Sequence, residues 1–224
     1  IINYLIHRYR YEIYPQMQIK DDYPPYLQIE PTSICNYRCV FCYQTDNAFN
    51  KRSQGYMGHM NFDTFKLIVD QAEENIEFIS LASRGEPLLC PDIKKMLFYT
   101  KDKFLNLKIN TNASLLDEKM SYAILESGVK TLVFSADAAD SKLYGELRVN
   151  GKLEKTVKNI ENIFKELDNW VSKQGSGRYI PNDCVSNVDV DFSLPEDFGI
   201  QQVEDEIKEL AKSELEVLSN KHQK

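Results

Sequence analysis

The chain has 224 residues, of which 42% are hydrophobic, and this is enough for one large globular domain or two small ones. Its formal net charge of −7 argues against a general nucleic-acid binder, because neutralising phosphates requires a basic surface. No apolar run could cross a bilayer and no signal-peptide pattern opens the chain, so we expect a cytoplasmic protein without nucleic-acid or membrane partners.

The first 22 residues predict a helical N-terminal extension. Ile2, Leu5, Ile6 and Tyr9 recur at helical spacing. The residues Tyr23-Pro24-Pro25 end this segment, since proline cannot continue a helix. Residues 26–30 then alternate apolar and polar side chains, which is typical of a strand.

Strands and helices alternate along the middle of the chain. Helices are predicted at 61–75, 91–101, 117–127 and 152–167, and strands at 76–82, 105–110 and 131–135. Alternation at this spacing predicts an α/β fold with a parallel sheet, whose functional loops follow the strands.

The pattern changes after residue 170. Residues 187–192 predict a fifth strand and residues 201–218 a charged terminal helix. We therefore divide the chain into an extension (1–22), a core (23–170) and a divergent C-terminal segment (171–224). The Gly175-Ser176-Gly177 sequence resembles a flexible or artificial join, and with Ile1 as first residue we expect a fragment, an engineered and trimmed chain, or a divergent tail.

Three of the five cysteines are clustered as C-x3-C-x2-C directly after the first predicted strand. Three thiolates suit an iron–sulfur cluster, and because such clusters normally take four cysteines, one iron would remain open to an outside ligand. The alternative is a structural zinc site with Cys90 or His59 as fourth ligand. The cluster consists of Cys35, Cys39 and Cys42.

This cysteine loop, with Phe41 beside its last cysteine, resembles that of the radical S-adenosylmethionine (SAM) enzymes. Further segments with the family's pattern follow in the family's order: Gly85-Glu86-Pro87, Asn110-Thr111-Asn112 and Ser135-Ala136-Asp137. The resemblance extends over about residues 26–167. It implies a partial TIM-like barrel of parallel strands with outer helices, incomplete at the C-terminus.

The resemblance also implies the cofactors and the chemistry. The three cysteines would hold a four-iron, four-sulfur cluster, and SAM would chelate the open iron. Reductive cleavage of SAM would give a 5′-deoxyadenosyl radical that takes hydrogen from an unidentified peptide or sugar-related substrate. An electron donor such as flavodoxin or ferredoxin would be required.

The family's SAM contacts can be carried over residue by residue. The segment containing Ser83, Gly85 and Glu86 would receive the amino group of SAM, although Arg84 replaces a glycine of the family's element. Phe41 would pack near the cluster and the adenine. The remaining candidates, for the ribose hydroxyls and for a carboxylate or substrate anion, are Asn112, Ser135, Asp137 and Arg148.

Two other interpretations stay open. Arg84 and the unfamiliar tail favour an iron–sulfur protein that has lost catalysis and acts in binding or regulation. A zinc-stabilised interaction module is the third hypothesis. The segments 26–44 and 85–89 most resemble family members with a C-terminal cysteine-rich extension, but Cys184 is isolated, so no auxiliary cluster is expected.

Overall fold

The computed structural model describes residues 2–82 and 84–174. These residues belong to two compact units, which divide between Asp22 and Tyr23. The first unit contains helix α1 (Ile2–Gln16), where the apolar spacing predicted a helix. Within this unit, Arg10 Nε donates to Asp21 Oδ2 at 2.8 Å and so holds the residues after the helix against it. Among the described residues, no helix is long and apolar enough to span a membrane.

The second unit alternates strands and helices along the chain. Its elements are β1 (Tyr26–Ile29), β2 (Arg38–Cys39), α2 (Phe62–Ala72), β3 (Phe78–Leu81), α3 (Ile93–Tyr99), β4 (Asn106–Thr111), α4 (Glu118–Glu126), β5 (Thr131–Phe134), α5 (Ser141–Leu147), β6 (Arg148–Val149) and α6 (Leu153–Gln174).

Four of these strands form a parallel sheet in the order β1-β3-β4-β5. The register aligns Ile29 with Leu81 and Leu81 with Ile109. Because all four strands run in the same direction, their carboxyl ends lie along one edge of the sheet. The loops that follow the strands therefore meet at that edge.

The two faces of the sheet differ in chemistry. In β4, Leu107 and Ile109 are buried in the hydrophobic core, together with Phe65 and Met96 from the helices. Successive strand residues point to opposite faces, so Asn110 lies on the face turned away from this core. Helix α2 packs on α3, α3 on α4, and α4 on α6. The parallel sheet with outer helices confirms the predicted α/β fold class.

A second, two-stranded antiparallel sheet pairs β2 with β6 and aligns Cys39 with Arg148. It is extended by Val40 N, which donates to Leu147 O at 3.0 Å. Helix α5 directly precedes β6, so the chain after β5 returns to the cysteine loop. The sequence predicted neither of these two strands, because strands of two residues depend on their tertiary partner rather than on a local pattern.

Several predicted boundaries are matched by capping residues. The side chains of Asn61 and Asp117 accept hydrogen bonds from Thr64 N and Met120 N at the starts of α2 and α4. Helix α6 continues past the predicted end at 167 to Gln174, and Trp170 Nε1 on this extension donates to Glu126 Oε1 at 2.7 Å. The predicted strand at 187–192 and helix at 201–218 lie outside the described residues.

Candidate active site

A cavity of about 330 Å³ lies at the carboxyl ends of the parallel strands. Small-molecule sites occupy roughly 300–1,000 Å³, so this space suits a ligand of the size of SAM. All three clustered cysteines line it. The cavity is also lined by six of the other predicted residues: Phe41, Gly85, Glu86, Asn112, Ser135 and Arg148.

The two remaining predicted residues, Asp137 and Ser83, are not among the described residues that line the cavity. Asp137 is exposed and contacts the cavity residue Arg148, which donates from Nε to its carboxylate. Ser83 lies outside the described residues, between the end of β3 and the lining residue Arg84. The roles assigned to these site residues from the sequence stay predictions.

The three thiols have different surroundings. Cys39 is 8% exposed, whereas Cys35 and Cys42 are half-buried. Burial raises the pKa of the Cys35 thiol above its usual value, while Tyr37 N donates to its sulfur at 3.4 Å. Burial also raises the pKa of Cys39, and the charge of Arg148 opposes that rise. Each thiol is free, which leaves all three able to ligate a metal.

Among the described residues, no three His, Cys, Asp or Glu side chains are arranged to hold a single metal ion. A zinc site requires its ligands to converge on one ion, whereas the cysteines of an iron–sulfur cluster bind different irons. The proposed fourth zinc ligands are not at the cavity: Cys90 is buried in the hydrophobic core and His59 is exposed. The donor set therefore fits a cluster better than zinc.

Gly85 connects the loop after β3 to the cysteine loop. A Cβ atom at Gly85 would overlap the carbonyl oxygen of Thr32 and would lie 2.8 Å from Ile34 O. Only glycine allows this approach, since any other side chain would displace the backbone that leads into Cys35. The glycine predicted to approach a ligand thus approaches the protein's own backbone.

Glu86 is 2% exposed. Its carboxylate and backbone N connect the loop after β3 to the end of β4 and to the cysteine loop. Oε1 accepts from Thr111 Oγ1 at 2.6 Å and from Leu88 N at 3.2 Å, and Oε2 accepts from Asn112 N at 2.7 Å. Its backbone N donates to Ile34 O at 2.9 Å. Burial raises the pKa of Glu86, and these hydrogen bonds to the carboxylate oppose the rise. Glu86 is therefore a buried, hydrogen-bonded carboxylate rather than a solvated surface charge.

Asn112 continues this network into the cysteine loop. Its Nδ2 donates to Asn36 Oδ1 at 3.0 Å, and its Oδ1 accepts from Ser114 Oγ at 2.6 Å. Asn36 Nδ2 in turn donates to Ser114 Oγ at 2.8 Å. The amide predicted to bind the ribose of SAM is thus already bonded to the residue beside Cys35.

Arg84, which replaces a glycine of the family's element, is paired with Glu30 at the end of β1. Its Nε lies 2.9 Å from Glu30 Oε2, and a terminal nitrogen lies 2.7 Å from Oε1. This fork-like geometry fixes the planar guanidinium against one carboxylate. The arginine is accordingly held at the cavity wall by the neighbouring strand.

Asn110 ends the predicted third strand and belongs to the Asn110-Thr111-Asn112 segment of the family resemblance, whose polar side chains were expected near the ribose of SAM. It lines the cavity, and its Oδ1 is buried with no hydrogen-bond partner in the described part of the protein. A buried polar atom without a partner is costly, so a ligand hydroxyl or amine there would relieve that cost. Gln28 in β1 also lines the cavity and was missed, although its polar position in an alternating strand could have indicated it.

The fold and the cavity define an α/β protein with three thiols at the carboxyl ends of a parallel sheet. A sequence model described as the Radical SAM superfamily matches residues 29–175. The chain belongs to this superfamily of enzymes.

Three relatives match part of the chain. A tungsten-containing aldehyde ferredoxin oxidoreductase cofactor-modifying protein of Pyrococcus furiosus is 34% identical over 114 residues, or 50% of this chain and 30% of that protein. A GTP 3′,8-cyclase of Clostridium botulinum is 27% identical over 61% of this chain and 42% of its own length. An AdoMet-dependent heme synthase of Methanosarcina barkeri is 28% identical over 67% and 44%. The chain thus spans less than half the length of each.

Solved structures share the fold. SuiB of Streptococcus suis bound to its precursor peptide SuiA is 24% identical with a TM-score of 0.51, covering 64% of this chain and 31% of SuiB. SuiB bound to SAM gives a TM-score of 0.50 at 24% identity, covering 64% of this chain and 30% of SuiB.

Proposed function

We propose that this protein is a radical SAM enzyme that holds a four-iron, four-sulfur cluster on Cys35, Cys39 and Cys42 and binds SAM in the adjoining cavity. The observation that carries the proposal is the shared cavity, which is lined by all three thiols and by the residues after β3, β4 and β5. Three thiolates leave one iron open to SAM. When bound, cluster and SAM supply one-electron cleavage of the sulfonium and a 5′-deoxyadenosyl radical that takes hydrogen from a substrate.

The protein's own residues divide into two groups by what they contact. Glu86, Asn112 and Gly85 contact the protein itself and fix the cysteine loop against the ends of β3 and β4. These residues affect SAM binding indirectly, because they set the conformation of the cysteine loop and the positions of its backbone groups. Preorganisation of this kind avoids the cost of ordering the loop when ligands bind.

The second group has polar or aromatic surface turned to the cavity. Asn110 and Ser135 offer hydrogen-bonding groups for the ribose or the amino acid portion of SAM. Phe41, which is 59% exposed and lines the cavity, offers a ring face to the adenine. Ser83 and Asp137 complete the proposed SAM contacts, Asp137 through its ion pair with Arg148.

The substrate that we propose is a peptide or a sugar-related molecule, and the electron donor is a protein such as flavodoxin or ferredoxin. Modification of a cofactor precursor is the related possibility that the names of the curated relatives suggest. The shared fold does not choose among these reactions, because one scaffold hosts many of them. We further propose a cytoplasmic location, since exposed clusters and free thiols persist in a reducing compartment.

The test is SAM cleavage by anaerobically reconstituted protein with dithionite as reductant, measured as 5′-deoxyadenosine by chromatography. Cys42→Ala should abolish both iron–sulfur absorbance and product, because two thiolates do not retain the cluster. Cys90→Ala is the matched control, since Cys90 is a buried thiol outside the cavity, and it should keep both. Product formation by Cys42→Ala at the wild-type rate would refute the proposal.

This assay, together with the metal content of the protein as purified, separates the two other hypotheses. A cluster that forms without SAM cleavage would favour a binding or regulatory protein, for which the Arg84–Glu30 pair in place of a glycine is the motivating observation. A colourless protein that retains one zinc per chain after purification would favour the zinc-stabilised interaction module.

A further inference from the structure

Cys39 and Arg148 lie directly opposite each other in the β2–β6 pair. Both residues are 8% exposed, and a terminal nitrogen of Arg148 donates to Cys39 Sγ at 3.7 Å. A charged donor on a buried sulfur interacts more strongly than the same contact would in water, because the local dielectric constant is low.

The guanidinium of Arg148 is held in this position by two further contacts. Its Nε donates to the carboxylate of Asp137. Its central carbon lies 5.5 Å from the centroid of the Phe41 ring, within the range of a cation–π contact. The arginine therefore presents its donor to Cys39 from a fixed orientation, before any ligand binds.

Among the described residues, the other two thiols contact no charged donor. Cys35 receives neutral donors only, from Tyr37 N at 3.4 Å and Asn112 Nδ2 at 3.9 Å. In the described part of the chain, no hydrogen-bond donor contacts Cys42 Sγ, so of the three thiols only Cys39 pairs with a positive charge. The three ligands of the proposed cluster are electrostatically unequal.

We propose that Arg148 is a positioning residue that raises the reduction potential of the cluster through its contact with Cys39. Adding one electron from the reductant increases the negative charge carried by the cluster and its thiolates. Hydrogen bonds to cluster sulfurs and nearby positive charge favour that reduced form. This role rests on the proposed function only for the presence of the cluster, and unlike a SAM-carboxylate contact it operates without SAM.

The experiment is a redox titration of reconstituted protein without SAM, followed by the electron paramagnetic resonance (EPR) signal of the reduced cluster. Arg148→Gln should make the midpoint potential more negative by about 59 mV. For a one-electron couple, this shift corresponds to a tenfold decrease in the equilibrium constant for reduction. Arg148→Lys keeps the charge but loses the planar fork, so its shift should have the same sign and be smaller. Lys142→Gln removes one exposed charge from α5 and should keep the wild-type potential.

A wild-type potential in both Arg148 variants would overturn the proposal, even if less cluster is bound. It would also be overturned if the potentials differed only after SAM is added, or if neither variant bound iron. Failure of the proposed function is distinguishable: a wild-type protein with an Arg148-dependent potential that does not cleave SAM refutes catalysis and supports this role. A wild-type protein that binds no cluster refutes both.

Discussion

Gly85 lies so close to the carbonyl oxygen of Thr32 that no side chain fits between them. This contact joins the loop after β3 to the segment that leads into the cysteine loop. The position of Cys35 therefore depends on a glycine far from it in sequence.

Gly85→Ala should destabilise the protein by about 3 kcal/mol, because the added methyl group must displace backbone rather than a flexible side chain. Chemical denaturation of the cluster-free protein measures this. Gly145→Ala is the control, since a Cβ at that position in α5 meets no atom within 4 Å and alanine is the better helix former. Equal stability of Gly85→Ala and wild type would contradict the assigned contact.

Glu86→Gln keeps the shape of the side chain but replaces one acceptor oxygen with a donor. Whichever way the amide turns, its NH2 group faces Asn112 N or the donors on Thr111 and Leu88. We expect a loss of about 2 kcal/mol in unfolding free energy and a lower iron content after reconstitution. Glu161→Gln, at an exposed site on α6, should change neither quantity.

Asn110 and Asn112 should respond differently to truncation. Asn110→Ala removes a buried oxygen that has no partner, so stability should not fall, while SAM affinity should fall about tenfold if a ligand group bonds there. Asn112→Ala removes bonds to Asn36 and Ser114 and should cost about 2 kcal/mol. Calorimetric SAM titration with parallel denaturation measures both. If both variants changed SAM affinity and stability by the same amounts, the division between SAM contacts and loop contacts would be contradicted.

The sequence predicted the alternation of β1, β3, β4 and β5 with their helices because these helices have apolar faces and several begin at a capping residue such as Asn61 or Asp117. It missed the β2–β6 pair, whose strands are too short for any periodic pattern. That pair aligns Cys39 with Arg148, so the missed element is the one that completes the environment of the thiol.

The sequence predicted which residues line the cavity better than it predicted what their side chains contact. Glu86 and Asn112 were predicted at the cavity and line it, yet their side chains bond the protein itself. Spacing in a sequence cannot distinguish a carboxylate that meets a ligand from one that accepts backbone donors, because both follow a strand. The unpartnered oxygen of Asn110 depends on the positions of all its neighbours and is visible only in three dimensions.

The central claim is a cluster with one iron open to SAM, held by Cys35, Cys39 and Cys42. The most direct test is EPR spectroscopy of the anaerobically reconstituted, dithionite-reduced protein with and without SAM. We predict a cluster signal that changes when SAM is added, because SAM would ligate the open iron. A cluster signal that is indifferent to saturating SAM, or no cluster signal at all, would contradict the account.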